Sequence, residues 1–323
     1  MSFARVLVPL DGSQVAENAL DHARRMVTAS GGELYLLYVL SSLNHNGDSH
    51  IDPLDWQLQQ ARAQRYLDRH GERLSAIGLT VSKHIDEGDP AAQILEFAKR
   101  HAIDLIVFSA YGRGDASRFR FGGTVQKAVR GTQTSILIVR PGRAGATASE
   151  QGYRRVLVPL DGSYRAEWAA CEVVSLLRSA ETELILLQII VTPNELPSMR
   201  LSGDMAALKE RLVAEQLRMG QHYLETVCRR MQSCVKVGTR LVRARSAAKE
   251  IVRTAERENV DLVALSAHGG SDESIWELGS VADAVASHCD RPVLIFQDLP
   301  TTQPCASADD QAHRDLTGLY RPA

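Results

Sequence analysis

Cysteine, tryptophan and net charge are all scarce in this chain of 323 residues. The five cysteines lie in the second half and form no CxxC pair, which argues against a disulfide framework and indicates reduced thiols in the cytoplasm. The three tryptophans are scattered and provide no base-stacking platform. A net charge of −2 argues against wholesale binding of nucleic acid or of an anionic membrane.

Long hydrophobic runs are also missing. The longest, Leu34–Leu40 and Leu184–Val191, are too short to cross a bilayer. The first residues lack the pattern of a signal peptide, because only five apolar residues follow Arg5 before Asp11. Hydrophobic residues make up 44% and charged residues 24% of the chain, which is typical of a globular protein, and the length suits two domains.

The most informative feature that is present is an internal repeat. Nine residues, Arg5–Ser13 (RVLVPLDGS), recur letter for letter as Arg155–Ser163, an offset of 150 residues. A period this long indicates two copies of a whole domain. In each copy an apolar run ends in Asp-Gly-Ser, which predicts a buried strand, a turn and a helix. Open α/β sheets bind ligands at such places.

Both copies predict the same alternation of strands and helices. In the first copy the predicted strands are Phe3–Pro9, Glu33–Leu40, Leu79–Ile85, Asp104–Ser109 and Ser135–Arg140. In the second they are Arg155–Pro159, Glu183–Ile190, Val235–Val242, Asp261–Ser266 and Pro292–Phe296. This alternation predicts an α/β fold, with a parallel sheet and helices on both faces. We expect domains at 1–143 and 153–298, a linker at 144–152 and a loose tail at 299–323.

A glycine-containing loop follows the fourth predicted strand of each copy. The first copy reads Ser109-Ala-Tyr-Gly112, then nine residues, then Gly122-Gly123. The second reads Ser266-Ala-His-Gly269, then nine residues, then Gly279-Ser280. Glycine lets a backbone approach an anion, and the next helix offers free N–H groups and a positive dipole end. One glycine pair would indicate only a turn, but two copies with the same gap favour a phosphate-binding loop.

With these motifs the chain resembles the universal stress protein family in its tandem form, over roughly residues 3–140 and 153–297. The resemblance rests on Val-Pro-Leu-Asp-Gly-Ser, on the Asp-Leu-Ile-Val and Asp-Leu-Val-Ala strands and on the glycine loop, which in ATP-binding members reads Gly-x2-Gly-x9-Gly-Ser/Thr. It implies a five-stranded parallel sheet of order 3-2-1-4-5 in each domain. It also implies that the two domains pair through their last strands, as a pseudo-dimer within one chain.

The resemblance further implies an adenine-nucleotide site, with ATP as the ligand, between strand 1 and the strand 4 loop. The aspartates would approach adenine and ribose, Val39 and Ile189 would line the adenine pocket, and the loop glycines would face phosphates. The implied residues of the first copy are Pro9, Asp11, Val39, Gly88, Ser109, Gly112, Arg113, Gly122, Gly123 and Thr124. Those of the second copy are Pro159, Asp161, Ile189, Ser266, Gly269, Gly279 and Ser280.

Both copies depart from the family pattern, and they depart differently. Ser109 and Ser266 replace the first glycine, where a side chain crowds the phosphates or a hydroxyl donates to one. Gly123 replaces the family's Ser or Thr, and Thr124 follows one residue late. The second copy keeps that serine but lacks the Gly-x-Pro that the first copy has at Gly88.

The charges of the two loops also differ. The first loop holds Arg113, Arg118 and Arg120 against one aspartate, and arginines fork onto phosphate oxygens. The second loop holds Asp272, Glu273 and Glu277 without any Lys or Arg, so it repels a triphosphate unless Mg²⁺ bridges them. We therefore predict that the first copy binds nucleotide better.

No catalytic constellation stands out. The sequence has no intact Walker motif, no HExxH and no Ser-His-Asp order. The polar stretch Asn44–His50, with Asp52 and Asp55, has metal-ligand residue types at a spacing that fits no standard site. We expect no metal or catalytic residues, and at most slow ATP hydrolysis.

Three functions stay open at this point. The first is a nucleotide-binding regulatory protein of the stress response, which acts on a protein partner. The second is an interaction module of the same fold that has lost nucleotide binding, as the two serines and the acidic second loop would favour. The third is an enzyme that uses ATP for group transfer, for which no acid, base or metal site stands out. The sequence is silent on the choice of adenine nucleotide and on assembly of two chains into a homodimer.

Overall fold

The computed structural model describes residues 3–41, 53–112, 121–140, 152–176, 182–192, 203–232, 235–269 and 278–297. Several predicted segments lie outside these residues: the tail, the linker except for Gly152, Asn44–His50 and both charged loop segments, which include Arg113. Among the helices described, none is both long and apolar enough to cross a membrane.

The first copy alternates strands and helices as the sequence predicts. Its elements are β1 (Arg5–Leu10), α1 (Gln14–Ser30), β2 (Glu33–Leu40), α2 (Pro53–Ser75), β3 (Thr80–Glu87), α3 (Pro90–Arg100), β4 (Leu105–Ser109), α4 (Gly123–Gly131) and β5 (Ser135–Val139). The second copy repeats this order with β6 (Arg155–Leu160), α5 (Tyr164–Leu176), β7 (Glu183–Val191), α6 (Gly203–Met231), β8 (Lys236–Ala244), α7 (Ala247–Arg257), β9 (Leu262–Ser266), α8 (Ser280–His288) and β10 (Val293–Phe296).

The ten strands of the described residues form one continuous sheet in the order β3-β2-β1-β4-β5-β10-β9-β6-β7-β8. Within each copy the strands are parallel, and the order matches the predicted 3-2-1-4-5. The copies meet where β5 and β10 pair antiparallel, with Ile136 opposite Ile295 and Ile138 opposite Val293. The expected pairing of the domains through their last strands is therefore confirmed.

Local sequence signals explain why several helices begin and end where they do. Ser13 caps α1, because its hydroxyl accepts from the Ala16 N–H at 3.2 Å, and Gly31 ends the helix with φ +68°. Asp89 caps α3 in the same way, and Pro90 occupies the first helical position, where a missing N–H costs nothing. In the second copy Ser246 caps α7 without a proline.

The sheet is buried on both faces, so its central strands are apolar almost throughout. Side chains alternate between the two faces: Leu105 and Val107 of β4 face α1, while Ile106 and Phe108 face the layer of α3 and α4. Each face carries one apolar cluster that runs through both copies. The described halves of the chain therefore share one sheet and both of its core layers.

Candidate functional site

The first strand of each copy carries a proline that shapes the carboxyl edge of the sheet. The Arg5 carbonyl accepts from the Asp104 N–H at 2.9 Å, so Arg5, Leu7 and Pro9 direct their backbone groups toward β4. Pro9 has no N–H to donate there, and the registered pairs between β1 and β4 stop at Leu7. The β1–β2 ladder continues to Leu10, so β1 and β4 part at their carboxyl ends.

The second copy repeats this arrangement. The Arg155 carbonyl accepts from the Asp261 N–H at 2.8 Å, and the registered β6–β9 pairs stop at Leu157, two residues before Pro159. Each opening lies at a topological switch point. The first strand of each copy has the second strand on one side and the fourth strand on the other, so the connections run in opposite directions from it. Ligands of open α/β sheets bind at such places.

The Asp-Gly-Ser turn closes one side of this opening. Gly12 adopts φ +80° and Gly162 φ +84°, a backbone conformation that residues with a side chain rarely adopt. The Asp11 carboxylate accepts from the Ser13 N–H at 2.9 Å and from its hydroxyl at 2.6 Å. The turn therefore fixes the direction of Asp11 before any ligand arrives.

The glycine loop faces that carboxylate across the opening. A Cβ added to Gly112 would lie 2.6 Å from Asp11 Oδ2, and one added to Gly269 would also collide with Asp161 Oδ2. A side chain at either glycine would therefore displace the facing aspartate carboxylate. The sequence predicts Asp11 with Gly112, and Asp161 with Gly269, in one site, and the structure brings each pair together.

Helix N-termini provide the other side. Gly122 precedes α4 and Gly279 precedes α8, and neither helix has a side-chain cap among the residues described. The N–H of Gly122 donates to the Ala110 carbonyl at 2.9 Å, and that of Gly279 to the Ala267 carbonyl at 2.9 Å, so each loop is closed at its base. The following N–H groups are available to an anion, as the first N–H groups of a helix are.

The replaced glycines differ between the copies. Ser109 is the last residue of β4 and 7% exposed, and its buried Oγ has no hydrogen-bond partner among the residues that the structure describes. The hydroxyl of Ser266 instead donates to the His268 carbonyl at 2.8 Å. A buried hydroxyl without a partner costs stability unless a ligand satisfies it. The Ser109 hydroxyl can therefore donate to a ligand, whereas the Ser266 hydroxyl already donates to a carbonyl.

The remaining predicted residues lie around the same edge. Val39 and Ile189 are partly buried near the ends of β2 and β7, where they pack on the core layer of α3 and α7. Gly88 turns from β3 into α3 with φ +135°. Gly123 and Thr124 open α4, and Ser280 opens α8. Among the described residues no group of three or more His, Cys, Asp or Glu is arranged to hold a metal ion.

Sequence reasoning missed two side chains at this edge, Arg140 and Tyr38. Arg140 follows β5 and donates to the Tyr111 hydroxyl, and its guanidinium carbon lies 5.5 Å from the Tyr111 ring centre. The second copy has Gln297 at this position, so an alignment of the two copies would have singled out Arg140 as a difference between them. The Tyr38 hydroxyl, which donates to the Asp11 carbonyl at 3.3 Å, was missed as well.

Comparison with known proteins agrees with this architecture. A universal stress protein of Methanocaldococcus jannaschii is 24% identical over 143 residues, which are 43% of this chain and 82% of that protein. One of Bacillus subtilis is 25% identical over 148 residues, 43% of this chain and 99% of that protein. The crystal structure of a universal stress protein from Archaeoglobus fulgidus superposes with a TM-score of 0.64 at 16% identity, covering 92% of this chain and 99% of that one, which shows the fold.

The sequence model of the universal stress protein family matches twice, over residues 2–140 and 152–297. The two matches coincide with the two halves of the sheet, which join at β5 and β10. This chain is therefore a member of the universal stress protein family, with two family domains in tandem.

Proposed function

We propose that the chain is an adenine-nucleotide-binding regulatory protein and that ATP binds in its first copy. The observation that carries the proposal is the opening between β1 and β4. The Asp11 carboxylate, Gly112, the unpartnered Ser109 hydroxyl and the uncapped start of α4 surround it. Backbone N–H groups and a buried hydroxyl donor suit phosphate oxygens, and a fixed carboxylate suits a ribose hydroxyl.

In this proposal each part of the nucleotide has its own contact. Adenine lies against Val39, the ribose faces Asp11, and the phosphates lie over Gly112, Gly122 and Gly123. Arg113, in the loop outside the described residues, adds positive charge. Mg²⁺ accompanies the phosphates and reduces their repulsion from Asp11.

The second copy is proposed to bind more weakly. Its Ser266 hydroxyl is already engaged by the His268 carbonyl, so donation to a ligand would break an existing hydrogen bond. The predicted acidic loop of this copy acts in the same direction. We further propose that binding acts through a change in the surface that a protein partner recognises.

The test begins with protein purified from cells. After denaturation, the released small molecules are identified by mass spectrometry, and ATP–Mg²⁺ is then titrated calorimetrically into the stripped chain. We expect one ATP per chain, with ADP, AMP and cyclic AMP as competitors that define the preferred nucleotide. Two equal sites would contradict the proposed preference for the first copy. An absence of both nucleotide and binding heat would refute the proposal.

A second candidate is a protein-interaction module that works without nucleotide. It is favoured by an apolar stripe on the outer side of α6, where Leu208, Leu212 and Met219 are each more than half exposed. Exposed leucines at helical spacing suit a partner helix or groove. If the calorimetric titration shows no binding, this stripe is the first surface to mutate in a search for partners.

A further inference from the structure

Arg140 contacts both copies at once. It follows β5 of the first copy, and its Nη2 donates to two carbonyls of the second copy, Ala286 at 2.9 Å and Ser287 at 2.6 Å. Both carbonyls lie in the last turn of α8, where four carbonyls of any helix lack an intrahelical partner. A guanidinium at this end also complements the negative end of the helix dipole.

The same guanidinium holds both ends of the first glycine loop. Its Nη1 donates to the hydroxyl of Tyr111, which enters the loop, and its carbon lies 5.8 Å from the ring centre of Phe121, which leaves it. Tyr111 immediately precedes Gly112, and Phe121 immediately precedes Gly122. The position of Arg140 is therefore linked to the spacing between the glycines.

Helix α8 continues the connection to the second glycine loop. It is nine residues long, and Gly279 at its start donates to the Ala267 carbonyl at 2.9 Å. A helix of this length moves as a rigid rod of about 13 Å. A shift of Tyr111 in one copy therefore has a continuous, hydrogen-bonded route to the loop of the other copy.

We propose that Arg140 is a positioning residue for the first glycine loop and that it transmits a change in that loop to α8 of the second copy. The second copy cannot form the same arginine–tyrosine contact, because Gln297 and His268 stand at the positions that match Arg140 and Tyr111. The ligand part of this inference rests on the proposed nucleotide site, whereas the mechanical link does not.

The first experiment tests the link without nucleotide, by hydrogen exchange of the full chain. Arg140→Gln should speed exchange in residues 284–290 about tenfold, since it removes charge-assisted bonds from the helix end. Tyr111→Phe, a change in the other copy, should speed the same peptide about threefold. The double variant should exchange no faster than Arg140→Gln alone, because both changes break one connection. Arg140→Lys should restore part of the protection.

Arg291→Gln is the matched control, since Arg291 lies close to the end of α8 but donates to Asn259 Oδ1 at 2.8 Å. It should leave exchange in residues 284–290 close to that of the wild type. Exchange at 284–290 that is unaltered in Tyr111→Phe, or effects that add in the double variant, would overturn the proposed link.

The second experiment adds ATP–Mg²⁺. In the wild type we expect about threefold slower exchange in residues 279–290, and Arg140→Gln should abolish this change while ATP still binds. Binding without any change at α8 would overturn the transmission. If calorimetry finds no binding to the wild type, the proposed function fails, and the nucleotide-free experiment alone decides the link.

Discussion

The two copies place different chemistry on one scaffold, and the contrast is clearest beneath the outer strands. In the first copy, His84 of β3 stacks with Tyr35 and lies 5.3 Å from His101, ring centre to ring centre. In the second copy the same positions hold Arg240 and Glu258, whose Nε and Oε1 lie 2.8 Å apart. One place in the fold therefore accepts either an aromatic cluster or an ion pair.

These clusters differ in how they respond to acid. Burial, and secondarily the charge of His101, lowers the pKa of His84, so the first copy favours the neutral form of this ring. In the second copy the hydrogen bond from Arg240 lowers the pKa of Glu258 and keeps it ionised. One contact is nonetheless the same in both copies. The Arg5 side chain donates to the His101 carbonyl at 2.9 Å, and the Arg155 side chain donates to the Glu258 carbonyl.

The carboxyl edge shows the same principle at the candidate site. The Asp-Gly-Ser turns and the prolines are alike in both copies. Ser109 and Ser266 differ in their hydrogen bonds, and Arg140, which donates to Tyr111, has Gln297 as its counterpart in the second copy. The repeat thus maintains the opening in the sheet, whereas the side chains around it differ between the copies.

The largest expected effect comes from closing one opening at a time. In Gly112→Glu the new Cβ would lie 2.6 Å from Asp11 Oδ2, and the added carboxylate would face the phosphates. We expect ATP affinity at the first copy to fall at least about a hundredfold, measured by calorimetry. Gly269→Glu makes the matching change in the second copy and should leave that affinity within about twofold. A folded Gly112→Glu variant with unchanged affinity would refute the site.

Much of this architecture was predictable from sequence because the repeat supplied an internal control. Nine identical residues fixed the first strand and turn of both copies, and the strands over Glu33–Leu40 and Ser135–Val139 follow from uninterrupted apolar runs. The joining of β5 to β10 was expected only from the family resemblance. Pairing between distant strands depends on which edges remain open in the folded domains, and periodicity does not report this.

The details of the site were less accessible to sequence. The pattern treated Ser109 and Ser266 as equivalent defects, but their hydrogen bonds differ because of where the following loop places its carbonyls. Arg140 looked like the charged end of a strand, and only the antiparallel junction brings α8 of the other copy beside it. Contacts between residues 146 positions apart require the tertiary structure.

A smaller effect on stability is expected on mild acidification, from a buried histidine that the second copy lacks at the matching position. His22 of α1 is buried, and its Nδ1 lies 2.7 Å from the Tyr153 hydroxyl. Burial, and secondarily the charge of Arg25, lowers the pKa of His22 to about 3. The unfolded chain therefore takes up the proton first, so this contribution to stability is complete above about pH 6.5 and is lost as the pH falls toward 3. The equivalent residue of the second copy is Glu172.

Thermal unfolding at several pH values measures this contribution. Between about pH 6.5 and pH 5 we expect His22 to account for a fall in Tm of about 5 °C. His22→Gln should flatten the dependence of Tm on pH over that interval. His222→Gln, which alters an exposed histidine of α6, should keep the wild-type dependence. An equally steep dependence in both variants would assign the effect to other groups.

The smallest expected effect tests whether the missing family residue can be restored. Gly123 begins α4 where Ser280 begins α8, and a Cβ built on Gly123 meets no atom within 4 Å. Gly123→Ser should therefore fold without strain and place a hydroxyl at the helix N-terminus, beside the proposed phosphates. One added hydrogen bond predicts about threefold to fivefold tighter ATP binding.

The control for this change is Gly123→Ala, which adds the same Cβ without the hydroxyl. It stabilises α4 by restricting the unfolded chain and should leave the affinity for ATP unchanged. An equal gain in both variants would mean that helix order, rather than a phosphate contact, limits binding. Ser280→Gly makes the reverse change in the second copy. If that copy binds ATP weakly, this variant should hardly change the number of ATP molecules bound per chain. The three variants together distinguish a lost phosphate contact from a difference in loop charge as the reason the copies differ.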